Sequence, residues 1–181
     1  MADPNVIATL DAFDRTLVRI YRTGISLAAL YLLSAVGHWA GQPLAPFRQA
    51  LLMLAATLMA SSLHLYDKRI RYALLMSTLL GLLWAALAPR LGVPALPLLV
   101  EGLLLVTLSG VAFKESHCFR VVGLRWVPLL LLAMVLARAA GSGTLAVSLS
   151  LVAGGLMGYL ALRKWQMPLH YDIGDRSKYQ N

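Results

Sequence analysis

The chain has 181 residues, 59% of them hydrophobic and only 13% charged, against ~25% charged in an ordinary soluble domain. That composition excludes a water-soluble fold and predicts one integral membrane domain. The net charge of +8 would suit nucleic acid in a soluble protein. Here the basic residues fall between apolar spans, where they encode orientation, so no nucleic acid is expected and the lipid bilayer is the expected partner.

The first predicted element is an amphipathic helix over residues 4–21. Asp3-Pro4 forms its start, an N-cap acid before a first-turn proline. Val6, Leu10, Phe13, Leu17 and Ile20 follow as one helical stripe, with Asp11, Arg15, Arg19 and Arg22 largely off it. Such a helix either lies in the headgroup plane or packs on the protein's own loops. Acids at Asp3, Asp11 and Asp14 precede the first apolar run and no cleavage site follows it closely, so no signal peptide is expected.

Six apolar spans come next, at about 23–40, 48–66, 72–88, 94–113, 126–139 and 144–162, each near the ~20 residues that cross a bilayer. The fifth is short and would borrow Leu124 and Arg125 or tilt in a thin site. Gly41-Gln42-Pro43, Pro89-Arg90-Leu91-Gly92 and Gly141-Ser142-Gly143 break the spans on one side. Of the sixteen Lys and Arg residues only Arg48, Arg90 and Arg138 fall on that side. By the positive-inside rule both termini are therefore expected in the cytoplasm. One cysteine allows no internal disulfide and suits a reducing compartment. The expected fold is all-α and polytopic: six transmembrane helices after an amphipathic one, with a tail over 163–181.

Three features could carry chemistry. Glu101 lies 13 residues before Lys114, and Arg138 lies 13 after Arg125. At ~1.5 Å per residue both sit ~20 Å above the inner face, so adjacent antiparallel spans would bring them together as an intramembrane ion pair. Burying either charge alone costs ~2.5–3.5 kcal/mol on insertion scales. The pair reads either as an ion or proton position or as structure, since Pro94 or Pro97 would set Glu101 near a helix N-terminus, where an acid suits the dipole.

The polar stretch Lys114–Arg125 is read as an inner loop holding Glu115, His117 and Cys118, with His170, Asp172 and Asp175 in the tail on the same side. Thiolate and imidazole are metal ligands and a Cys-His pair can supply a nucleophile. The loop gives two or three ligands of the four that zinc takes; His64 or His170 would have to complete the set, and no metal-binding spacing demands it. Cofactors stay undefined. Gly154 and Gly158 form a G-x-x-x-G that either packs within the chain or joins a second copy.

The chain resembles an uncharacterised bacterial family of integral membrane proteins, domain of unknown function 2301. The resemblance rests on Phe113-Lys114-Glu115-Ser116-His117-Cys118-Phe119, similar to the family's Lys-Glu-x-x-Cys-Phe loop, and on Asp172-Ile173-Gly174-Asp175 after the last span. It implies a bacterial inner-membrane location and a single feature made of loop and tail, and carries no activity with it. Short loops and few intramembrane polar residues favour a non-enzymatic accessory or assembly protein that binds another membrane protein. The alternatives are a small transporter or channel using Glu101 and Arg138, or a metal or redox site at His117-Cys118.

Overall fold

In the computed structural model, residues 10–63, 67–119 and 121–173 are described. Asp11 starts the first helix through a capping box: the Asp14 amide donates to Asp11 Oδ1 at 2.7 Å, and the Asp11 amide to Asp14 Oδ2 at 3.2 Å. Helix α1 then runs Ala12–Leu33, and after a turn at Ser34 the short α2, Ala35–Trp39, carries it on. Helix α3 is Ala45–Ser61, with Pro46 in its first turn, and α4 is Lys68–Leu91, where the Asp67 carboxylate accepts from the Arg69 amide at 2.7 Å. Helix α5 is Leu96–Phe119. A 3₁₀ turn at Leu124–Trp126 leads into α6, Val127–Ala139, followed by α7, Gly143–Gln166, and the short α8, His170–Ile173.

The long helices alternate in direction. Five of them, α1, α3, α5, α6 and α7, pack in that cyclic order and close back on α1, while α4 lies outside against α5 and α3. Ile25, Leu32, Leu52, Met59, Leu104, Leu108, Leu131, Met134 and Met157 fill the ring. Glycines let the backbones approach, as expected where lipid supplies no hydrophobic drive. A Cβ on Gly24 of α1 would lie 2.7 Å from Met59 Cγ and 3.0 Å from the Met59 nitrogen of α3. A Cβ on Gly154 of α7 would lie 3.0 Å from Leu32 Cβ of α1. At the G-x-x-x-G, Gly154 thus packs within the chain, and a Cβ on Gly158 would lie 3.9 Å from Ala29 Cβ of the same first helix. Between α4 and α5, the Thr78 and Thr107 hydroxyls share a hydrogen bond of 2.6 Å.

The outer surface is apolar. Helix α4 alone exposes Ile70, Met76, Leu79, Leu80 and Leu83. A patch of this kind is foreign to a soluble monomer and ordinary against lipid tails. Four segments are long and apolar enough to cross a membrane: Ala12–Trp39, Lys68–Leu91, Leu96–Cys118 and Gly143–Gln166. Helices α3, at 17 residues, and α6, at 13, are shorter. The described residues contain no strand.

Three boundaries differ from the expected ones. The amphipathic helix and first span are not separate elements: from Ala12 one helix continues to Leu33, because nothing between breaks it and Gly24 is used for packing. Its buried face is Val18, Tyr21, Arg22, Ile25 and Leu32, not the expected stripe, of which Phe13 is exposed and Leu10, Leu17 and Ile20 are only partly buried; Val6 and the expected start at Asp3-Pro4 lie outside the described residues. The expected loop from Lys114 is helical through Phe119, so Lys114 and Glu115 sit on the last turns of α5. The expected tail begins later, since α7 continues to Gln166. Met167-Pro168 then turns the chain back, and Asp172 and Ile173 of α8 are buried.

Candidate functional site

The ring holds a polar cluster near each end: the termini end, where the described residues begin at Leu10 and finish at Ile173, and the far end. Tyr21 and Tyr31 mark them on α1, about 15 Å apart at the ~1.5 Å rise of a helix. The residues between them are apolar and buried, among them Ile25, Ala28, Leu108 and Met157.

At the termini end, Lys164 of α7 joins two acids. Its Nζ lies 2.7 Å from Glu115 Oε2 on α5 and pairs with Asp172 Oδ1 on α8. The second Asp172 oxygen accepts from Arg22 Nε at 2.8 Å and from its Nη2. The same guanidinium donates to the carbonyls of Met167 at 2.8 Å and Pro168 at 3.0 Å, which fixes the turn out of α7. Tyr21 donates to Glu115 Oε1 at 2.6 Å, and Lys114 Nζ lies 3.2 Å from that oxygen and 4.8 Å from the Tyr21 ring centre. Arg22 and Lys164 are each 1% exposed. Buried charges of this kind persist only when paired and hydrogen-bonded. The cluster therefore fastens α8 and the α7 turn onto α1 and α5.

At the far end, Glu101 of α5 accepts from Tyr31 of α1 and from Arg138 of α6, whose Nη1 reaches both carboxylate oxygens. Arg48 of α3 is 8% exposed. Its Nε donates to Ser34 Oγ at 3.2 Å and its guanidinium carbon lies 5.1 Å from the Tyr31 ring centre. Two cavities open beside these groups. One, of about 150 Å³, is lined by Tyr31, Gln49, Pro97 and Glu101. The other, of about 250 Å³, is lined by Trp39, Met134, Ala146 and Ser150. His38, Arg48 and Arg138 border both, so each of the five ring helices, α3 with Arg48 and α7 with Ser150, sends a polar side chain to this one region.

The loop and tail candidates separate. Glu115 and Asp172 come together through Lys164, while His117 is exposed, its Nδ1 2.9 Å from the Phe113 carbonyl and its ring 4.6 Å edge-on to Phe113. Cys118 is half-buried. Neighbours on a helix point in different directions, so His117 and Cys118 do not converge. His170 stacks on Tyr171, ring centres 4.7 Å apart. Among the described residues no three His, Cys, Asp or Glu side chains could share a metal ion; His64 and Asp175 lie outside those residues.

The sequence profile of an uncharacterized integral membrane protein family, DUF2301, matches residues 60–181. The chain belongs to that family. An uncharacterized protein of Haemophilus influenzae (strain Rd) is 37% identical over 180 residues, covering 99% of both chains. No solved structure matches. Glu115 and Asp172, widely spaced in sequence, are the two acids that Lys164 joins. Sequence reasoning counted Arg22 and Lys164 only among the basic residues that set the orientation. It counted Arg48 only as one of the three basic residues on the opposite side. Tyr31 and Ser34, one turn apart on the inward face of α1 and flanking its apolar core, were the signal for the far-end site.

Proposed function

We propose that this chain is a small-solute-binding membrane protein of the transporter or channel class, with the far-end cavities as its binding site. The observation that supports it most is the convergence of Tyr31, Arg48, Glu101, Arg138 and Ser150, one from each ring helix, on two adjoining cavities. A site shared by every helix of a ring changes shape when any two move, which is what solute passage requires. Intramembrane ionisable residues facing a cavity mark such paths. The accessory or assembly role, toward another membrane protein, has only the short connections in its favour, whereas the cavities offer a defined place for a ligand.

In this reading α3 and α6 complete six crossings, tilted or in a locally thinned bilayer, and the basic residues at the termini end hold both termini in the cytoplasm of a bacterial inner membrane. The cavities then face outward, and the termini-end cluster with the apolar layer above it seals the inner side. Two measurements test this. With Cys118→Ser as background, Gln49→Cys should react with a membrane-impermeant thiol reagent on spheroplasts, and Arg163→Cys only after lysis; the reverse pattern refutes the orientation. Liposomes carrying the purified chain should swell in small polar solutes faster than empty ones, and Glu101→Gln should slow them. Equal swelling of protein-bearing and empty liposomes for every solute refutes passage.

A further inference from the structure

The geometry points to a site for one small monovalent oxyanion, a carboxylate or a phosphodiester, held by Arg48 in the far-end cavities. This rests on the reading of those cavities as a binding site and adds the charge and chemistry of what binds there. Arg48 is more than nine-tenths buried, with its guanidinium at the border of the cavities, and a charge so enclosed is stabilised by a counter-charge. Glu101 does not supply it, since Arg138 and Tyr31 take both its oxygens. Among the described residues, no carboxylate lies within ion-pair distance of Arg48, and Ser34 is its one hydrogen-bond partner, through Nε. Both Nη groups are left with hydrogen-bonding capacity at the border of two cavities.

The local charge balance is Arg48 and Arg138 against Glu101, one positive charge in excess. A cation is therefore disfavoured and one negative charge completes the site. The planar fork of an arginine matches a carboxylate or phosphate with two parallel hydrogen bonds. His38 and Gln49 border the first cavity and can donate to the same group. Cavities of about 150 and 250 Å³ are each smaller than the ~300–1,000 Å³ that enclose drug-sized ligands. The fit is to a small acid or a lipid headgroup, not to a nucleotide. Glu101 has a positioning role, holding Arg138 beside the site.

The test uses the full chain in neutral detergent at constant ionic strength. Its unfolding midpoint is followed against acetate, dimethyl phosphate, chloride and the uncharged erythritol, and again in phosphatidylglycerol or phosphatidylcholine vesicles. Acetate or dimethyl phosphate should raise the midpoint saturably, as a ligand of the folded state does, with chloride and erythritol flat. Arg48→Gln should weaken that response at least ~10-fold, the loss of one charge-assisted contact, and the exposed Arg90→Gln should not change it. Arg48→Lys keeps the charge and the fold but not the fork; if Arg48→Gln does not fold, a weaker response in Arg48→Lys than in wild type decides the matter. A free anion as the natural ligand predicts stabilisation by acetate in phosphatidylcholine vesicles. A lipid headgroup predicts that phosphatidylglycerol stabilises and leaves acetate no further effect. Equal responses of wild type, Arg48→Gln and Arg48→Lys, or no saturable response to any oxyanion, overturn the inference. In that case solute-driven swelling that persists for erythritol leaves the cavity reading standing, whereas its loss for all solutes removes both.

Discussion

Asp172→Asn is the sharpest perturbation of the termini-end cluster. The change keeps the size of the side chain and removes one charge from between Arg22 and Lys164, both nearly inaccessible. Removing one partner of a buried ion pair costs ~3–5 kcal/mol, because the other charge stays buried. Here Glu115 still lies 2.7 Å from Lys164 Nζ, and the carbonyls of Met167 and Pro168 still accept from Arg22. The low end, ~3 kcal/mol, is therefore expected. In a chain of this size each kcal/mol moves the unfolding midpoint by ~2–4 °C, which gives a fall of ~6–12 °C. Thermal unfolding in mild detergent reads it directly, and amide exchange should show α8 and the end of α7 opening first. Glu115→Gln shares Lys164 with Asp172, so the double variant should depart from additivity by ~0.5–3 kcal/mol. A midpoint within ~2 °C of wild type, with α8 still protected, would refute the reasoning.

Glu101→Gln should destabilise less than Asp172→Asn in the same assay, because the Arg138 side chain is 41% exposed and solvent takes up part of its charge. A larger loss would show a drier far end than the structure has. Gly24→Ala places a methyl against the Met59 side chain and backbone and should cost ~1–3 kcal/mol of overpacking. Gly155→Ala, with open space around its Cβ, should be neutral or stabilising by up to ~1 kcal/mol through helix propensity. Thermal unfolding separates the two glycines, and equal effects would count against the close α1–α3 approach. Cys118→Ser should leave the metal content of the purified chain unchanged, checked by elemental analysis; a stoichiometric metal lost with the thiol would reinstate a site at His117-Cys118.

Some of the site was legible from depth alone. Glu101 and Arg138 were counted to the same height on neighbouring antiparallel spans, and a helix rises by a fixed amount per residue, so their meeting needed only that α5 and α6 touch. Lys164 and Arg22 were not legible in this way. Each lies close to a span's end, where a cation normally reaches water and orients the chain. Their burial depends on α8 folding back over them, and Met167-Pro168 signals a break in the chain without saying where it goes next. The burial of Arg48 was hidden for the same reason: at the start of a span a cation reads only as a marker of side, and the packing of Tyr31 and Ser34 against it closes it off. The separation of His117 from Cys118 followed once α5 was seen to continue through both, since a helix turns adjacent residues apart.

The sequence by itself determined that the chain is an all-helical membrane protein and where its apolar segments lie, because transfer into lipid depends on composition summed along each segment. Tertiary structure alone decided which charges are buried, which helices form the ring and which side chains meet in the cavities. Those outcomes depend on contacts between residues as much as 150 positions apart, such as Arg22 with Asp172. No local pattern encodes such contacts, because the same cation is stable in water or in a paired interior, and the fold of the rest of the chain selects between the two.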